Sequence, residues 1–378
     1  MSRSPLTFLE FFAGGGMARL GLGERWRCLL ANDFDPGKAE TYRVNWGTDD
    51  LRVADVWSLR AEDLPGHTDL AWASSPCQDF SLAGARAGLA GGKSSAFWGF
   101  WRLIEALDDE GRAPRLIVLE NVGGLLSSHG GADIAAVCKA FSERGYRFGA
   151  VEIDARAFLP QSRPRVFIIA TRADPAGQVA AAPGAFHTRG VRQAFDGLPE
   201  PLRRQWLWWR LPEPAMRNTH LADLLEADDA VRWRSPAQTQ ALLAQLSPLH
   251  LERWRSATTG AERVVAAVFR RIRQENGFKV QRAELRLDGL AGCLRTPGGG
   301  SSRQLLLIGD EAGVRSRLMT AREGARLMGL PDSYRLPPSE TAAMHVIGDG
   351  VAAPVVRFLA ERLLEPLLDA PRVSAAAE

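Results

Sequence analysis

The chain has 378 residues, 46% hydrophobic and 24% charged, the composition of a soluble globular protein of about two domains whose core needs no disulfide staples. A formal net charge of +3 neither requires nor excludes a nucleic-acid partner. The four cysteines form no CxxC motif and no apolar run reaches roughly 18 residues, so neither a disulfide framework, a zinc site nor a membrane span is expected.

A strand, a glycine turn and a helix open the chain. Residues 6–13 predict a buried β-strand, Gly14-Gly15-Gly16 follows, and a helical pattern runs from Met17 to a stop at Gly23. This is the layout of a nucleotide-binding first βα unit, in which glycines let backbone N–H groups approach a ligand. Many glycine turns only tighten a loop, so the turn alone leaves both interpretations open.

The second predicted strand, residues 26–32, ends in acidic residues. Asp33 follows the glycines by about 20 positions, where a partner for ribose hydroxyls is expected. Phe34 beside it can stack on an adenine. Asp35 precedes Pro36 and is expected to cap the helix predicted from 37 to 46. Both roles can hold, because one carboxylate can cap while the other binds.

Three later strand ends carry polar side chains. Asp55 follows a third strand, Cys77 follows the apolar run at 69–73, and Glu120 follows the apolar run at 115–119. In an open α/β sheet, ligands and chemistry collect at the carboxyl ends of the strands. A lone cysteine is more often a small buried thiol, so Cys77 needs support from other residues before a catalytic role is inferred.

The remaining elements before residue 172 continue the α/β pattern. Helices are predicted at 95–107, with an aromatic face expected in the core, and at 132–144; strands are predicted at 146–153 and 166–171. The glycine-rich stretch at 84–92 is predicted as a loop that closes over a ligand.

Five segments, in this order, resemble the C5-specific DNA cytosine methyltransferases. They are Phe12-Ala13-Gly14-Gly15-Gly16, Asn32-Asp33-Phe34-Asp35, Pro76-Cys77-Gln78, Glu120-Asn121-Val122 and Gln161-x-Arg163-x-Arg165, and residues 317–332 and 347–354 resemble the family's ninth and tenth motifs. The resemblance covers residues 7–363 except a middle segment. It implies an α/β fold, a Rossmann-like sheet that binds S-adenosylmethionine, with a smaller target-recognition domain, and methylation of cytosine in double-stranded DNA.

The resemblance also implies catalytic roles. Cys77 matches the nucleophile that adds to C6 of a flipped cytosine, because C5 becomes enamine-like only after that addition. Glu120 matches the acid at N3, which requires a carboxyl that carries or shares a proton. Arg163 and Arg165 match a pair that braces this carboxyl, the base and a nearby phosphate. A surface salt-bridge role is the ordinary alternative for the arginines alone.

Binding residues follow from the same resemblance. The cofactor-binding set comprises Phe12, Gly14, Gly16, Asp33, Phe34, Asp55, Val56, Asp349 and Val351. The DNA-binding set is Gln78, Ser81 and Arg303. Two positions depart from the family: Ser75 replaces a frequent proline, which we expect to be tolerated, and Asp349 replaces the usual asparagine. We expect the Asp349 carboxylate to weaken cofactor binding modestly without abolishing activity.

The middle segment is predicted as the target-recognition domain, residues 173–310, between a catalytic domain at 1–172 and a C-terminal return at 311–378. Trp206, Trp208 and Trp209 can stack on nucleic acid, although a small local core is the commoner use of such rings. A helical run is predicted over 261–278, and its arginines either contact phosphates or form a solvated face. The helix predicted at 353–364 is expected to pack near the first strand.

We expect a cytoplasmic, nucleoid-associated monomer that needs no metal. An RNA methyltransferase of the same fold is the nearest alternative, although the long middle segment argues against it. A DNA-binding regulator without catalysis would not need the complete set of Cys77, Glu120, Arg163 and Arg165, and an oxidoreductase would give Pro76-Cys77-Gln78 no purpose. Neither the recognition sequence nor a restriction-linked, phage or solitary role follows from one chain.

Overall fold

The computed structural model describes residues 4–76, 96–275, 277–296 and 303–369. The chain divides into two units: Met1–Asp154, Pro164–Pro214 and Val351–Glu378 form the first, and Ala155–Arg163 and Ala215–Gly350 form the second. These bounds differ from the predicted 1–172, 173–310 and 311–378. Pro212-Glu213-Pro214 and Gly348-Asp349-Gly350 stand at two of these boundaries, but short turns of this kind also occur within domains. The long-range contacts that assign the segments to their units are not visible in the local sequence pattern.

A seven-stranded sheet forms the centre of the first unit. Its strands are β1 (Leu6–Phe11), β2 (Trp26–Asp33), β3 (Leu51–Val53), β4 (Leu70–Ala73), β5 (Leu116–Asn121), β6 (Arg147–Asp154) and β7 (Pro164–Thr171), in the order β3-β2-β1-β4-β5-β7-β6. The first five pair in parallel, and β7 runs antiparallel to both neighbours. The carboxyl ends of β1, β2, β4 and β5 therefore share one edge of the sheet.

Helices and short turns cover this sheet. They are α1 (Met17–Leu22), α2 (Pro36–Trp46), α3 (Ala96–Asp109), α4 (Ala132–Glu143), α5 (Arg189–Gly197) and α6 (Glu200–Arg203), with 3-10 turns at Val56–Ser58, Ala61–Asp63, Gly123–Leu126 and Ser128–Gly131. Asp35 caps α2 by accepting from the amides of Gly37 and Lys38, as predicted. Phe97 and Trp101 of α3 are buried in the core, which confirms the prediction for these rings.

Residues 173–214 pack onto the first sheet. They contain β8 (Val179–Ala180), which pairs with β9 (Trp208–Trp209). The amide of Leu207 donates to the carbonyl of Phe148 at 2.7 Å, and the rings of Trp206 and Phe148 meet edge to face at 6.2 Å. Trp206 and Trp209 are buried. The commoner interpretation of these rings, a local core, therefore holds for Trp206 and Trp209.

The second unit contains a four-stranded antiparallel sheet. Its strands are β10 (Arg263–Glu275), β11 (Phe278–Arg286), β12 (Leu305–Asp310) and β13 (Gly313–Leu318), in the order β11-β10-β12-β13. Its helices are α7 (Pro236–Leu243), α8 (Pro248–Thr258), α9 (Ala321–Arg326) and α10 (Glu340–Asp349), with 3-10 turns at Ala155–Ala157 and Leu221–Leu224. Leu246 and Trp254 pack on one face of the sheet with Val268 and Leu307.

The helix predicted over 261–278 is wrong, because most of this run forms β10. Val264, Val265 and Val268 are β-branched and favour a strand, and the Asn-Gly dipeptide at 276–277 is the strongest short-range signal of a hairpin. Gly277 has φ +82°, a conformation that glycine adopts without strain. The alanines at 266–267 and the spacing of the arginines imitated a helical pattern.

The chain returns to the first unit through α11 (Ala353–Leu359), a π-helical turn (Ala360–Leu364) and α12 (Glu365–Asp369). The helix α11 packs on α1, where a Cβ added to Gly21 would lie 2.4 Å from Cβ of Val356. Trp26 Nε1, at the start of β2, donates to Glu365 at 3.0 Å. The stretch Glu340–Asp369 is apolar and long enough to cross a membrane, but 67% of its most apolar part is buried, as in core helices of soluble proteins.

Candidate active site

A buried carboxylate and an arginine meet near the carboxyl-terminal end of β5 in the first sheet. Glu120 is 5% exposed, and its Oε1 lies 3.2 Å from Nε of Arg165. The antiparallel register explains this contact, because Glu120 faces Phe167 and Arg165 is the diagonal neighbour on the same face. Two residues far apart in the chain are thus brought together as the sequence motifs implied, while their catalytic roles stay predictions.

The residue after Glu120 ties two strand ends together. Asn121 Nδ2 donates to the carbonyl oxygen of Ser75 at 3.0 Å and to its Oγ at 3.2 Å. The hydroxyl of Ser75, at a position where the family often has proline, therefore has a buried partner. Cys77, Gln78 and Ser81, and the predicted loop at 84–92, lie outside the described residues. The structure describes the chain from the end of β4 to Pro76, directly before Cys77.

Asp33 holds the glycine turn. Its Oδ2 accepts from the amide of Gly14 at 2.8 Å and its Oδ1 accepts from the amide of Asp35 at 2.9 Å. Burial raises the pKa of Asp33, and these two amide donors oppose the rise. A carboxylate oxygen can accept further bonds, so a contact with ribose hydroxyls stays a prediction beside this structural role.

The glycine turn combines a strained residue with open space beside one glycine. Phe12 has φ +58° although it is not glycine, a strain of about 1–3 kcal/mol that is common at functional sites. A Cβ added to Gly14 meets nothing within 4 Å, so open space lies beside this glycine. A Cβ added to Gly16 would lie 2.3 Å from Nε1 of Trp46, so packing alone requires that glycine.

One aromatic ring is exposed among the residues predicted to bind the adenine of the cofactor. Phe34 is 65% exposed at the end of β2, so its face is available for stacking on a flat heterocycle. Asp55 accepts from the amide of Trp57 at 2.9 Å and caps the turn at Val56–Ser58. Val56 is buried, so only its backbone can reach a ligand. Open space beside Gly14 and a bare aromatic face fit a nucleoside-containing cofactor.

The remaining predicted residues have protein partners or lie elsewhere. Arg163, in the second unit, is 1% exposed. Its guanidinium donates to the carbonyls of Leu294, Gly348 and Gly350 at 2.9, 2.8 and 2.6 Å, so the arginine supports backbone of its own unit. Its predicted role toward Glu120 stays a prediction.

Arg303 donates to the carbonyl of Met319 at 3.1 Å and to Glu340 at 2.8 Å. Both bonds use Nη2 of Arg303, and a contact of this residue with DNA stays a prediction. Asp349 is the exposed last residue of α10, and Val351 is buried in the first unit.

Sequence reasoning missed a buried acid beneath the glycine turn. Glu10 of β1 is almost completely buried, and its Oε2 has no hydrogen-bond partner in the described part of the chain. Burial raises the pKa of Glu10 to about 8, with a smaller opposing effect of Arg19. Arg19 donates to Tyr42 and to Asp50, both at 2.6 Å. The available signal was a charged residue inside the apolar strand Leu6–Phe11.

Among the described residues no group of three or more His, Cys, Asp or Glu is arranged to hold a metal ion.

Known proteins resemble the chain over nearly its whole length. The family model for C-5 cytosine-specific DNA methylase matches residues 6–365. Type II methyltransferase M.NlaX of Neisseria lactamica is 25% identical over 366 residues, covering 94% of this chain and 95% of the relative. M.HpaII of Haemophilus parainfluenzae is 26% identical over 383 residues, covering 97% and 91%.

Solved structures have the same fold. The Dnmt2 methyltransferase of S. pombe gives a TM-score of 0.60 at 20% identity over 96% of this chain and 99% of that chain. The Entamoeba histolytica methyltransferase EhMeth gives 0.61 at 12% identity over 97% and 99%. At these identities the likeness concerns the fold alone, which is the predicted α/β class with a second, smaller unit.

Proposed function

Because the chain belongs to the C-5 cytosine-specific DNA methylase family, we propose that it is a DNA (cytosine-5-)methyltransferase that acts on double-stranded DNA with S-adenosylmethionine as methyl donor. The observation that carries the proposal is the ion pair of the buried Glu120 with the partly buried Arg165, 3.2 Å apart. Asn121, next in the chain, holds Ser75, which precedes the Pro76-Cys77-Gln78 motif by one residue. An acid and a cation thus lie beside the end of the chain segment that leads into the Pro76-Cys77-Gln78 motif.

The proposed cofactor site lies at the carboxyl-terminal ends of β1 and β2 and at the turn after β3. Phe34 stacks on the adenine, Asp33 takes the ribose hydroxyls, and the backbone at Asp55 contacts the adenine edge. Phe12, Gly14 and Gly16 shape the floor of the site, with Val56, Asp349 and Val351 as its further residues. When bound, S-adenosylmethionine supplies an electrophilic methyl group.

In this mechanism the Cys77 thiolate adds to C6 of a cytosine that has been flipped out of the duplex. The C6–S bond forms, and the electron pair of the C5–C6 double bond moves toward C5 and the ring. Glu120 shares a proton with N3, and Arg165 opposes the negative charge that addition creates. After methylation the proton on C5 leaves to a base, its electron pair restores the double bond, and the C6–S bond breaks to return the thiolate.

The residues proposed to meet DNA are Gln78, Ser81 and Arg303. Gln78 and Ser81 follow the nucleophile in the chain, where contacts with the flipped strand are expected. A cytosolic, nucleoid-associated monomer without a metal ion is the form that we propose.

Transfer of a labelled methyl group from S-adenosylmethionine tests the proposal. Duplex DNA is compared with tRNA, and the parent chain with Cys77→Ala. We expect label in duplex DNA only with the parent, and a covalent adduct with 5-fluorocytosine duplex DNA that Cys77→Ala cannot form. Preferential labelling of tRNA would contradict the DNA assignment, and labelling by Cys77→Ala would contradict the mechanism.

A further inference from the structure

Strands β10 and β11 extend beyond the rest of their sheet as a two-stranded ribbon. Strand β12 pairs with β10 only from Arg263 to Val268, whereas the pairing of β10 with β11 continues to the hairpin turn. We call residues 269–286 the ribbon. Near its tip the side chains are largely exposed, including Ile272 at 65% and Phe278 at 75%. An isolated two-stranded ribbon is marginally stable in water, so an additional partner is expected to cover it.

The ribbon concentrates positive charge. It contains six basic and two acidic residues, a net charge of +4, while the whole chain has a net charge of +3. The basic residues are Arg270, Arg271, Arg273, Lys279, Arg282 and Arg286, and the acidic residues are Glu275 and Glu284. The rest of the chain is therefore slightly acidic in sum, so the ribbon is a local concentration of positive charge that can attract a polyanion.

One face of the ribbon carries four arginines. The register places Arg271 directly opposite Arg282, and strand alternation adds Arg273 and Arg286 to the same face. Val268, Ala283 and Leu285, on the opposite face, belong to or pack against the hydrophobic core of this unit. The arginine face therefore points away from that core.

The arginine face carries more positive charge than its carboxylates balance. Arg271 and Arg282 stand directly opposite each other, and like charges in this position destabilise a sheet. Glu284 lies 3.2 Å from Nε of Arg271 and also contacts Arg273, and Glu275 accepts from Nε of Arg282 at 2.7 Å. Two carboxylates thus serve these three guanidinium groups, whereas the fourth arginine of the face pairs with Asp288 beyond the ribbon. A partner with several regularly spaced anions would balance the remaining charge.

Duplex DNA is the partner whose chemistry fits. Its phosphates carry closely spaced negative charges, and its major groove admits a two-stranded ribbon. The guanidinium fork of arginine can form two bonds with one phosphate. Contacts of this kind position a protein and add affinity without reading sequence.

We propose that the arginine face of the ribbon binds the phosphate backbone of duplex DNA, and that phosphate displaces Glu284 from Arg271 and Arg273. The proposal rests on the proposed function in one respect, that duplex DNA is the substrate. It assigns to the ribbon a sequence-independent share of the affinity, separate from chemistry at Glu120.

Equilibrium binding of the full chain to two labelled duplexes of unrelated sequence, over a range of salt concentrations, tests this assignment. For Arg271→Gln and Arg273→Gln we expect weaker binding to both duplexes and a salt-dependence slope smaller by about 0.9 for each phosphate that is no longer neutralised. For Glu284→Gln we expect tighter binding, because phosphate no longer competes with a carboxylate. Thermal melting verifies folding, and Arg271→Gln should fold normally because it removes a like-charge pair.

Two variants in the same unit control for net charge alone. Arg253→Gln on α8 and Glu311→Gln between β12 and β13 alter exposed residues by the same charge. The inference is overturned if the ribbon variants match these controls in affinity and slope, or if the weaker binding is confined to one of the two sequences. A parent chain that binds no duplex DNA would instead contradict the proposed function.

Discussion

Glu120 and Arg165 are 45 residues apart in the chain, and their contact depends on the antiparallel pairing of β5 with β7. Both side chains are held by packing on the sheet and need no ligand to adopt this geometry. Such preorganisation lets a positive charge oppose charge development without reorganisation during the reaction. The pair is therefore the most informative position for a conservative change.

Replacing Glu120 with glutamine should remove proton sharing at N3 while keeping an oxygen that can face Arg165. We expect the rate of methyl transfer in a single turnover to fall about 10²- to 10⁴-fold, the usual contribution of general acid–base catalysis. The substitution preserves shape but removes the ion pair with Arg165, so a lower melting temperature is also expected and the rates are compared at a temperature where both proteins are folded. Glu24→Gln, an exposed position, is the control, and an unchanged rate in Glu120→Gln would remove Glu120 from the mechanism.

Asp349 stands where the family usually has asparagine. If its carboxylate repels the carboxylate of the cofactor, Asp349→Asn should bind S-adenosylmethionine more tightly, by about 1 kcal/mol or less for one solvent-screened charge. Calorimetric titration of the variant and the parent measures this difference. Weaker binding by the asparagine variant would show that the carboxylate contributes favourably.

Glu10 should make stability depend on pH. Its pKa rises from the ordinary value of 4.5 to about 8 in the folded protein, so the folded state binds this proton more tightly than the unfolded state does. The resulting stability is fully present below about pH 4.5 and is lost as the pH rises through 8. Glu10→Gln should therefore melt at a higher temperature than the parent above pH 8, and the two melting curves should converge toward acidic pH. A constant difference across this range would contradict the assignment.

Elements with local signals were predictable. Helix α2 has a cap and proline at its start, strands β4 and β5 are short apolar runs, and α3 has a strong aromatic face; the structure confirms all of them. Strand β10 was missed because its alanines, and arginines at the helix-like spacings of 263, 270 and 273, outweighed its valines. The partners of Asp33 and Arg163 were also missed, because Gly14 and the carbonyl of Gly348 are contacts that only the tertiary fold creates.

The packing of α11 on α1 gives a test at Gly21. A Cβ there would lie 2.4 Å from Val356 and 2.7 Å from the carbonyl oxygen of Ala353, so Gly21→Ala should destabilise the protein by about 1–3 kcal/mol despite the better helix propensity of alanine. Gly197→Ala in α5 is the control, since an added Cβ there meets nothing within 4 Å. Denaturant unfolding measures both, and equal stability of the two variants would contradict the close packing.

For the molecule as a whole, motif order predicted more than composition did. The family and the α/β class followed from five short segments, while a net charge of +3 indicated nothing about partners. The division at Pro214 and Gly350 was not predicted, because the prolines and glycines there look like ordinary turns and the assignment depends on long-range contacts. The charge of the ribbon became meaningful only when strand pairing placed Arg271 opposite Arg282.

The central claim is that this chain methylates C5 of cytosine in DNA through Cys77. Sequencing of genomic DNA after bisulfite conversion, from cells that express the parent chain or Cys77→Ala, measures that claim directly. We expect cytosines protected from conversion at a recurring sequence with the parent, and full conversion at the same positions with Cys77→Ala. Conversion of every cytosine in cells that express soluble parent protein, or equal protection by Cys77→Ala, would contradict it.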